Sequence, residues 1–305
     1  MNRKNFYIAL VTLFFQQVTV YSQDLEPRFL SSVPLKMNFC VAAYAYSSGN
    51  ILLDNSIPIE NLQARINSLL LGYARSMKIF NKLAKFDLVV PYSFGYFQGA
   101  INSIDSSTSR NGFGDPLVRL SFILVGEDPL DMEGFLKRGV KKFKLGVTTR
   151  LRLPLGQYDS TKLINLGANR WALKLGVAAS YKIQKNFILE GQLTSWLFSA
   201  NNSFYGDNTV QQKPLFNTQV HTTYIFKPGI WVSVSLGNSS FGETVVNGEE
   251  KDNIQNATRF GGTFAYRLNK SSTLKMSYIN GLSTRYGANF STYSIAYQFM
   301  WLSKR

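Results

Sequence analysis

The feature that most constrains this chain is a strict alternation of apolar and polar side chains. It is held for 10–15 residues at a time and recurs from residue 36 to the C-terminus. In the stretch 171–183, Trp171, Leu173, Leu175, Val177, Ala179, Tyr181 and Ile183 occupy the odd positions, while Lys174, Gly176, Ala178, Ser180 and Lys182 fill even ones. Phe143, Leu145, Val147, Leu151 and Leu153 alternate in the same way with Lys142, Lys144, Thr148, Arg150 and Arg152. A helix would smear each set around its circumference, so these are strands. Twelve are predicted, at about 36–47, 66–79, 84–97, 116–126, 141–154, 170–184, 186–199, 214–227, 229–239, 257–268, 272–282 and 291–302.

Alternation alone would also suit a soluble sandwich. Length argues against one, because soluble strands average about 5–6 residues and membrane barrels need about 9–11. Connections point the same way. Gln184–Asn186, Lys227–Gly229 and Asn269–Ser271 are tight, whereas 48–65, 98–115, 155–169, 200–213 and 240–256 read as long polar loops. Short turns at one end and long loops at the other is the outer-membrane arrangement. Segment 127–140 is long where a short turn is expected, and could hold a small periplasmic helix. Aromatics gather near strand ends (Tyr92, Phe94, Tyr96, Trp171, Tyr181, Tyr224, Phe226, Tyr293, Trp301), as interfacial girdles do. The fold class predicted is therefore all-β, a transmembrane antiparallel up-and-down barrel of about twelve strands. Composition agrees, with 45% hydrophobic and only 17% charged residues.

Arg3 and Lys4 followed by the apolar run 6–15, with Val20 and Ser22 before Gln23, have the pattern of a signal peptide over residues 1–22. Residues 23–305 are then the barrel domain, in the bacterial outer membrane, with both termini periplasmic because the strand count is even. Ten apolar residues are too few for a spanning helix. The single Cys40 and single His221 exclude an internal disulfide and leave no metal or cofactor site expected. The net charge of +15 comes from residues dispersed singly along strands rather than clustered, so outer-membrane lipids and anionic solutes, not nucleic acid, are the expected partners.

Residues 153–171 read LPLGQYDSTKLINLGANRW, and this resembles the PxGxYD…NxGxNRW signature of the outer-membrane transporters named after the meta-cleavage pathway of phenol degradation. Arg110–Pro116 (RNGFGDP), the Asn201 region (NNSF), Arg259–Gly261 and the opening Pro27–Leu30 segment (PRFL) are similar to that family too. The resemblance implies a barrel that passes substrates, and it brings no catalytic residues. Within the loop, Pro154 ends the ladder, Gly156 permits a turn, Tyr158 and Asp159 supply hydrogen bonds, and Asn165 and Asn169 suit tight turns. Arg170 is placed to pair with Asp159, and the loop reads as a folded plug or rim.

With apolar faces toward lipid, the lumen receives Arg119, Lys142, Lys144, Arg150, Arg152, Lys174, Lys182, Arg259, Arg267 and Lys275. Asp87 and Glu190 alone oppose them clearly, which predicts a positive interior favouring anions. Lys142, Lys182 and Arg267 are expected at the rims. Gln192, Asn217, Gln219 and His221 join the inward set as hydrogen-bonding residues. A charge introduced at Leu175 or Val177 should be costly, and one at Ala178 well tolerated. A lipid-hydrolysing barrel would need His and Ser together on an outward face, and His221 points inward. Catalysis is not expected. Two classes remain: passive passage of small solutes, anionic or aromatic compounds being the candidates, or a non-transporting structural or adhesion barrel acting through its long loops. The solute, the resting state of the pore and the oligomeric state are left open.

Overall fold

A computed structural model describes residues 25–52, 59–101 and 103–303; the expected leader, 1–22, lies outside them. In chain order the strands begin with β1 (Met37–Leu52), β2 (Ile59–Ile79), β3 (Lys82–Ile101), β4 (Ile104–Phe113) and β5 (Leu117–Val125). A short helix α1 (Met132–Lys137) precedes β6 (Phe143–Arg152), β7 (Ala172–Lys182), β8 (Phe187–Phe198), β9 (Asn201–Phe204) and β10 (Asn208–Gln212). Then come β11 (Leu215–Lys227), β12 (Ile230–Phe241), β13 (Thr244–Val246), β14 (Glu249–Glu250), β15 (Gln255–Arg267), β16 (Ser272–Thr284) and β17 (Gly287–Leu302).

Among the described residues, twelve strands close into one antiparallel barrel in the order β1-β2-β3-β5-β6-β7-β8-β11-β12-β15-β16-β17, with β17 pairing back onto β1. Each corresponds to a strand predicted from alternation. β1 begins and β17 ends at the end of the barrel that carries the short turns. One such turn is a two-residue hairpin, in which Ile79 pairs with Lys82 and both Phe80 and Asn81 have positive φ. That is the primed turn geometry matching the twist of the flanking strands.

The opposite end departs from expectation. Segments 48–65 and 98–115, read as loops from their polar composition, are largely strand, because β1, β2 and β3 are 16, 21 and 20 residues long. Their polar residues are paired in ladders, and β4 continues along the outer half of β3 where β5 leaves it. Segments 200–213 and 240–256 build a four-stranded sheet, β14-β13-β10-β9, above the rim. Of the five long connections, 155–169 is the one that contains no strand, as expected.

The faces follow the alternation. Leu175, Val177, Leu193, Val220, Val234, Ile295 and Tyr297 are exposed on the outer wall, while Arg119, Arg150, Lys174, Glu190, Gln192, Gln219 and His221 are buried inside. An apolar outer belt with a polar interior inverts a soluble protein and suits lipid. In β7, Ala178 is buried as predicted for an inward residue, but what it meets there was not expected.

The interior is occupied. Residues 25–34, before β1, run through the lumen, and every one is buried. Phe29, Leu30 and Val33 form a core with Leu83, Ile123, Ala178 and Met300 from the barrel wall. The wall is thinned to admit them: a Cβ on Gly146 would lie 2.5 Å from Leu30 Cδ2, and one on Gly237 2.6 Å from Leu25 Cδ2. A charge at Ala178 would therefore meet this core rather than an open lumen, so its cost falls on the inserted segment and not on the wall. Segment 127–140 does hold a helix, α1, N-capped by Asp131, which accepts from Gly134 N at 2.8 Å. This connection also braces the inserted segment, since Leu35 N donates to Leu130 O at 2.8 Å.

Candidate functional site: the occupied lumen

Asp87, Arg119, Arg150 and Lys174 face each other across four adjacent strands, β3, β5, β6 and β7, as direct register partners. Three neighbouring cations on one wall repel unless an acid is brought to them. Asp87 serves one end, its Oδ2 accepting from Arg119 Nε at 2.6 Å. The inserted segment supplies the other acid. Glu26 accepts from Arg150 Nη2 and lies 3.4 Å from Arg119 Nη1, with all three side chains nearly inaccessible. Gln192 and Gln219, partners across β8 and β11, hold the Glu26 backbone: Gln192 Nε2 donates to its carbonyl at 3.0 Å, and its N–H donates to Gln219 Oε1 at 3.1 Å.

Arg28 is fixed through its N–H, which donates to Glu190 Oε2 at 2.5 Å, while its guanidinium lies 5.8 Å from the Trp231 ring centre. Lys85 Nζ donates to the carbonyls of Phe29 and Ser31 at 3.3 and 2.7 Å. Near the turn end, Glu127 accepts from the Ser32 hydroxyl and from Arg138, and lies 2.9 Å from Lys144 Nζ. Burial alone would raise the Glu127 pKa, but Lys144, the Ser32 hydroxyl and Arg138 bring it below its ordinary value of 4.5. The predicted balance of ten cations against Asp87 and Glu190 is thus corrected. Glu26 and Glu127 also face this interior, and the cations nearest mid-barrel are gathered around the inserted segment.

The other predicted lumen residues are placed as follows. Arg152 lies 5.1 Å and Lys174 Nζ 5.6 Å from the Trp196 ring centre. Arg259 Nη2 donates to Ala288 O, and Lys275 is buried. Arg267 bonds the turn carbonyls of Asn269 and Lys270, and Lys142 is exposed, so both are rim residues as expected. Lys182 is half-buried at the strand end. His221 is fully buried, and its Nδ1 is 2.7 Å from Ser235 Oγ on the neighbouring strand rather than joined to Asn217 or Gln219. Asn217 bonds Ser239 instead. A Ser does therefore stand beside His221, but inside the barrel and away from the lipid face.

The signature loop forms a second cluster. Asp115 Oδ1 accepts from Gly156 N and its Oδ2 from Ala168 N, both at 2.9 Å, tying the RNGFGDP motif to both ends of the 155–169 loop. Gly156 is required there because a Cβ would come within 2.7 Å of the Gly114 and Asp115 backbone. Asn201 completes the clasp: its Oδ1 accepts from Asn169 Nδ2 at 2.9 Å, and its Nδ2 donates to the Tyr158 hydroxyl at 2.9 Å. Tyr158 in turn donates to Ser203 O at 2.8 Å. Asn165 bridges the loop through Asp159 N and the carbonyls of Asp159 and Lys162. Three separated motifs thus meet in one rim structure. The loop is a rim; the segment occupying the lumen is 25–34.

The expected Arg170–Asp159 pair is not formed. Asp159 bonds Thr161 and lies 2.8 Å from Lys162, which holds its carboxyl below the usual range. Arg170 instead donates to Gln212 Oε1 at 2.5 Å and lies 4.7 Å from the Phe198 ring centre. A partner three residues away is reached by a short loop more readily than one across it.

A closed barrel of twelve strands, apolar outside and charged within, is a transmembrane barrel of the outer-membrane type. Solved structures agree. The COG4313 outer membrane channel from Pseudomonas putida F1 superposes with a TM-score of 0.75 at 19% identity, covering 91% of this chain and 100% of that one. The beta domain of the Bordetella autotransporter BrkA gives 0.50 at 10% identity, covering 87% and 99%. A search of curated proteins finds no match. The family described as "Putative MetA-pathway of phenol degradation" matches residues 48–299, and the chain belongs to it.

Proposed function

We propose that this protein is a passive channel for small anionic or aromatic solutes, held shut at rest by its own residues 25–34. The observation that carries the reading is Glu26, seated between Arg119 and Arg150 inside a barrel whose wall is cut back to glycine around the segment. Ion pairs and hydrogen bonds to the segment backbone are contacts that can be exchanged for water or solute. A core built only to fill space would need none of them. Arg119, Lys144, Arg150, Arg152, Lys174, Glu190, Gln192, Gln219 and His221 line this path, and the clasped loop with Gly156, Tyr158, Asp159, Asn165, Asn169 and Arg170 shapes its mouth.

Export removes residues 1–22, leaving 23–305 as the mature barrel with its turn end and both termini in the periplasm and its belt in outer-membrane lipid. No catalytic role is assigned. His221 uses Nδ1 toward Ser235, the wrong side for a Ser–His pair oriented by an acid on Nδ1.

The test is conductance in planar bilayers, with anion and cation reversal potentials, for the mature chain and for a form lacking residues 25–34. Conductance that rises on deletion, with anion preference, is the expected result. A barrel that folds yet conducts in neither form would refute the channel reading and favour a structural or adhesion role for the loop sheet. N-terminal sequencing of the membrane-extracted protein checks the cut before Gln23.

A further inference from the structure

On the loop side of Glu26, cations and aromatic rings alternate along the lumen wall. Arg152 lies 5.1 Å from the Trp196 ring centre, Trp196 and Phe198 are stacked at 6.3 Å with 18° between planes, and Arg170 lies 4.7 Å from Phe198. The row runs from Arg170, beside the rim sheet at Gln212, to Arg152 inside the barrel. Trp196 packs with Ala172, Leu215, Leu117 and Phe198, so the wall between the charges is apolar.

The same wall carries polar atoms that are buried and make no hydrogen bond. They are Trp196 Nε1, Arg170 Nη1, Thr194 Oγ1 and Asn217 Oδ1. Thr194 and Asn217 are direct partners across β8 and β11, two positions from Trp196. Buried polar atoms are normally satisfied, and each one left unmade costs about 1–3 kcal/mol. Three of them, on Trp196, Arg170 and Thr194, can donate, and three unmatched donors on one short stretch of wall point to a guest that accepts from them.

We infer that Arg152, Trp196, Phe198 and Arg170, with Thr194, form a binding site for a small aromatic carboxylate in transit. The chemistry selects this class on two grounds. Ring faces stack with another ring, and guanidinium forks match a planar carboxylate in a way that a neutral hydrocarbon cannot use. The indole N–H and the Thr194 hydroxyl add donors that a carboxylate takes and an alkane does not.

This inference rests on the channel reading, and the experiment separates the two. Benzoate, cyclohexanecarboxylate and benzyl alcohol are titrated calorimetrically into the detergent-solubilised barrel, and their entry into proteoliposomes is followed in parallel. Benzoate is expected to bind about three- to tenfold more tightly than either comparator, the first lacking a π face and the second a charge. Trp196→Leu should abolish the preference over cyclohexanecarboxylate alone, and Arg170→Gln the preference over benzyl alcohol alone, in variants that keep heat-modifiable gel migration. Equal binding of all three probes to the unmodified protein, which needs no variant to fold, overturns the site. So do preferences that survive both substitutions. Solute entry without selective binding overturns the site and leaves the channel standing; selective binding without entry does the reverse.

Discussion

Glu26→Gln is the perturbation that most directly probes how the lumen is held shut. The carboxylate serves Arg150 and Arg119 at once, while its backbone stays clamped by Gln192 and Gln219 whatever the side chain. Removing one member of a buried ion pair costs about 3–5 kcal/mol in a dry interior. A lumen readmits water once the segment moves, so the lower bound, about 3 kcal/mol, is the appropriate figure. At 1.4 kcal/mol per decade, the population with residues 25–34 displaced should rise about 10²-fold. It should not become dominant, because Phe29, Leu30 and Val33 remain buried and each side chain contributes about 1.5–3 kcal/mol. Planar-bilayer recordings should therefore show more frequent openings of unchanged conductance, not a permanently open pore. Glu26→Asp, one methylene shorter but still charged, should fall between. An unchanged open probability in a Glu26→Gln barrel that retains heat-modifiable migration would refute the idea that these ion pairs hold the segment in place.

A lysine at Leu175 or Val177, exposed on the lipid face, should cost about 2–4 kcal/mol in folding titrations into bilayers, whereas one at Ala178 should leave the ladder intact and increase conductance by displacing Phe29 and Leu30. Asp115→Ala strips the acceptors from Gly156 and Ala168, so limited proteolysis should cut within 155–169 much faster, consistent with about 1–3 kcal/mol lost at the rim. Glu127 has a depressed pKa, so its contribution is complete above its ordinary 4.5 and is lost as pH falls through the lower folded value. Acidifying the turn side should thus raise open probability, and Glu127→Gln should be raised at pH 7 already, with a flattened pH response. Reversing Arg150 and Arg152 separately to Glu should split their roles: the first faces Glu26 and should raise open probability, the second sits on Trp196 and should shift the reversal potential away from anions. Identical recordings from the two variants would contradict that division.

The twelve strands, and the faces of strands such as β6, β7 and β8, were legible in the sequence, because a wall with lipid on one side and polar lumen on the other imposes a two-residue period; β1 and β2 are the exception, since Met37, Phe39, Ile66 and Leu70 turn inward to apolar clusters. Arg150, Lys174, Gln192 and His221 were placed inside by that period alone. The helix in 127–140 was signalled by a connection too long for its position. The occupant of the lumen was not legible as such. Residues 25–34 have no period, contain two prolines, and find their partners through contacts 93, 124 and 162 positions away, at Arg119, Arg150 and Glu190. One signal was available: a mostly apolar, non-strand segment between the expected export cut and the first strand needs cover, and the lumen is the nearest place to find it. The extended hairpins over 48–65 and 98–115 were missed because a ladder is defined by the neighbouring strand, which local polarity does not reveal. The rim failed at Arg170 for the same reason. Its loop motif fixed the turn chemistry, but its partners came from Asp115 and Asn201 on other strands, and only closure of the barrel brings those within hydrogen-bonding distance.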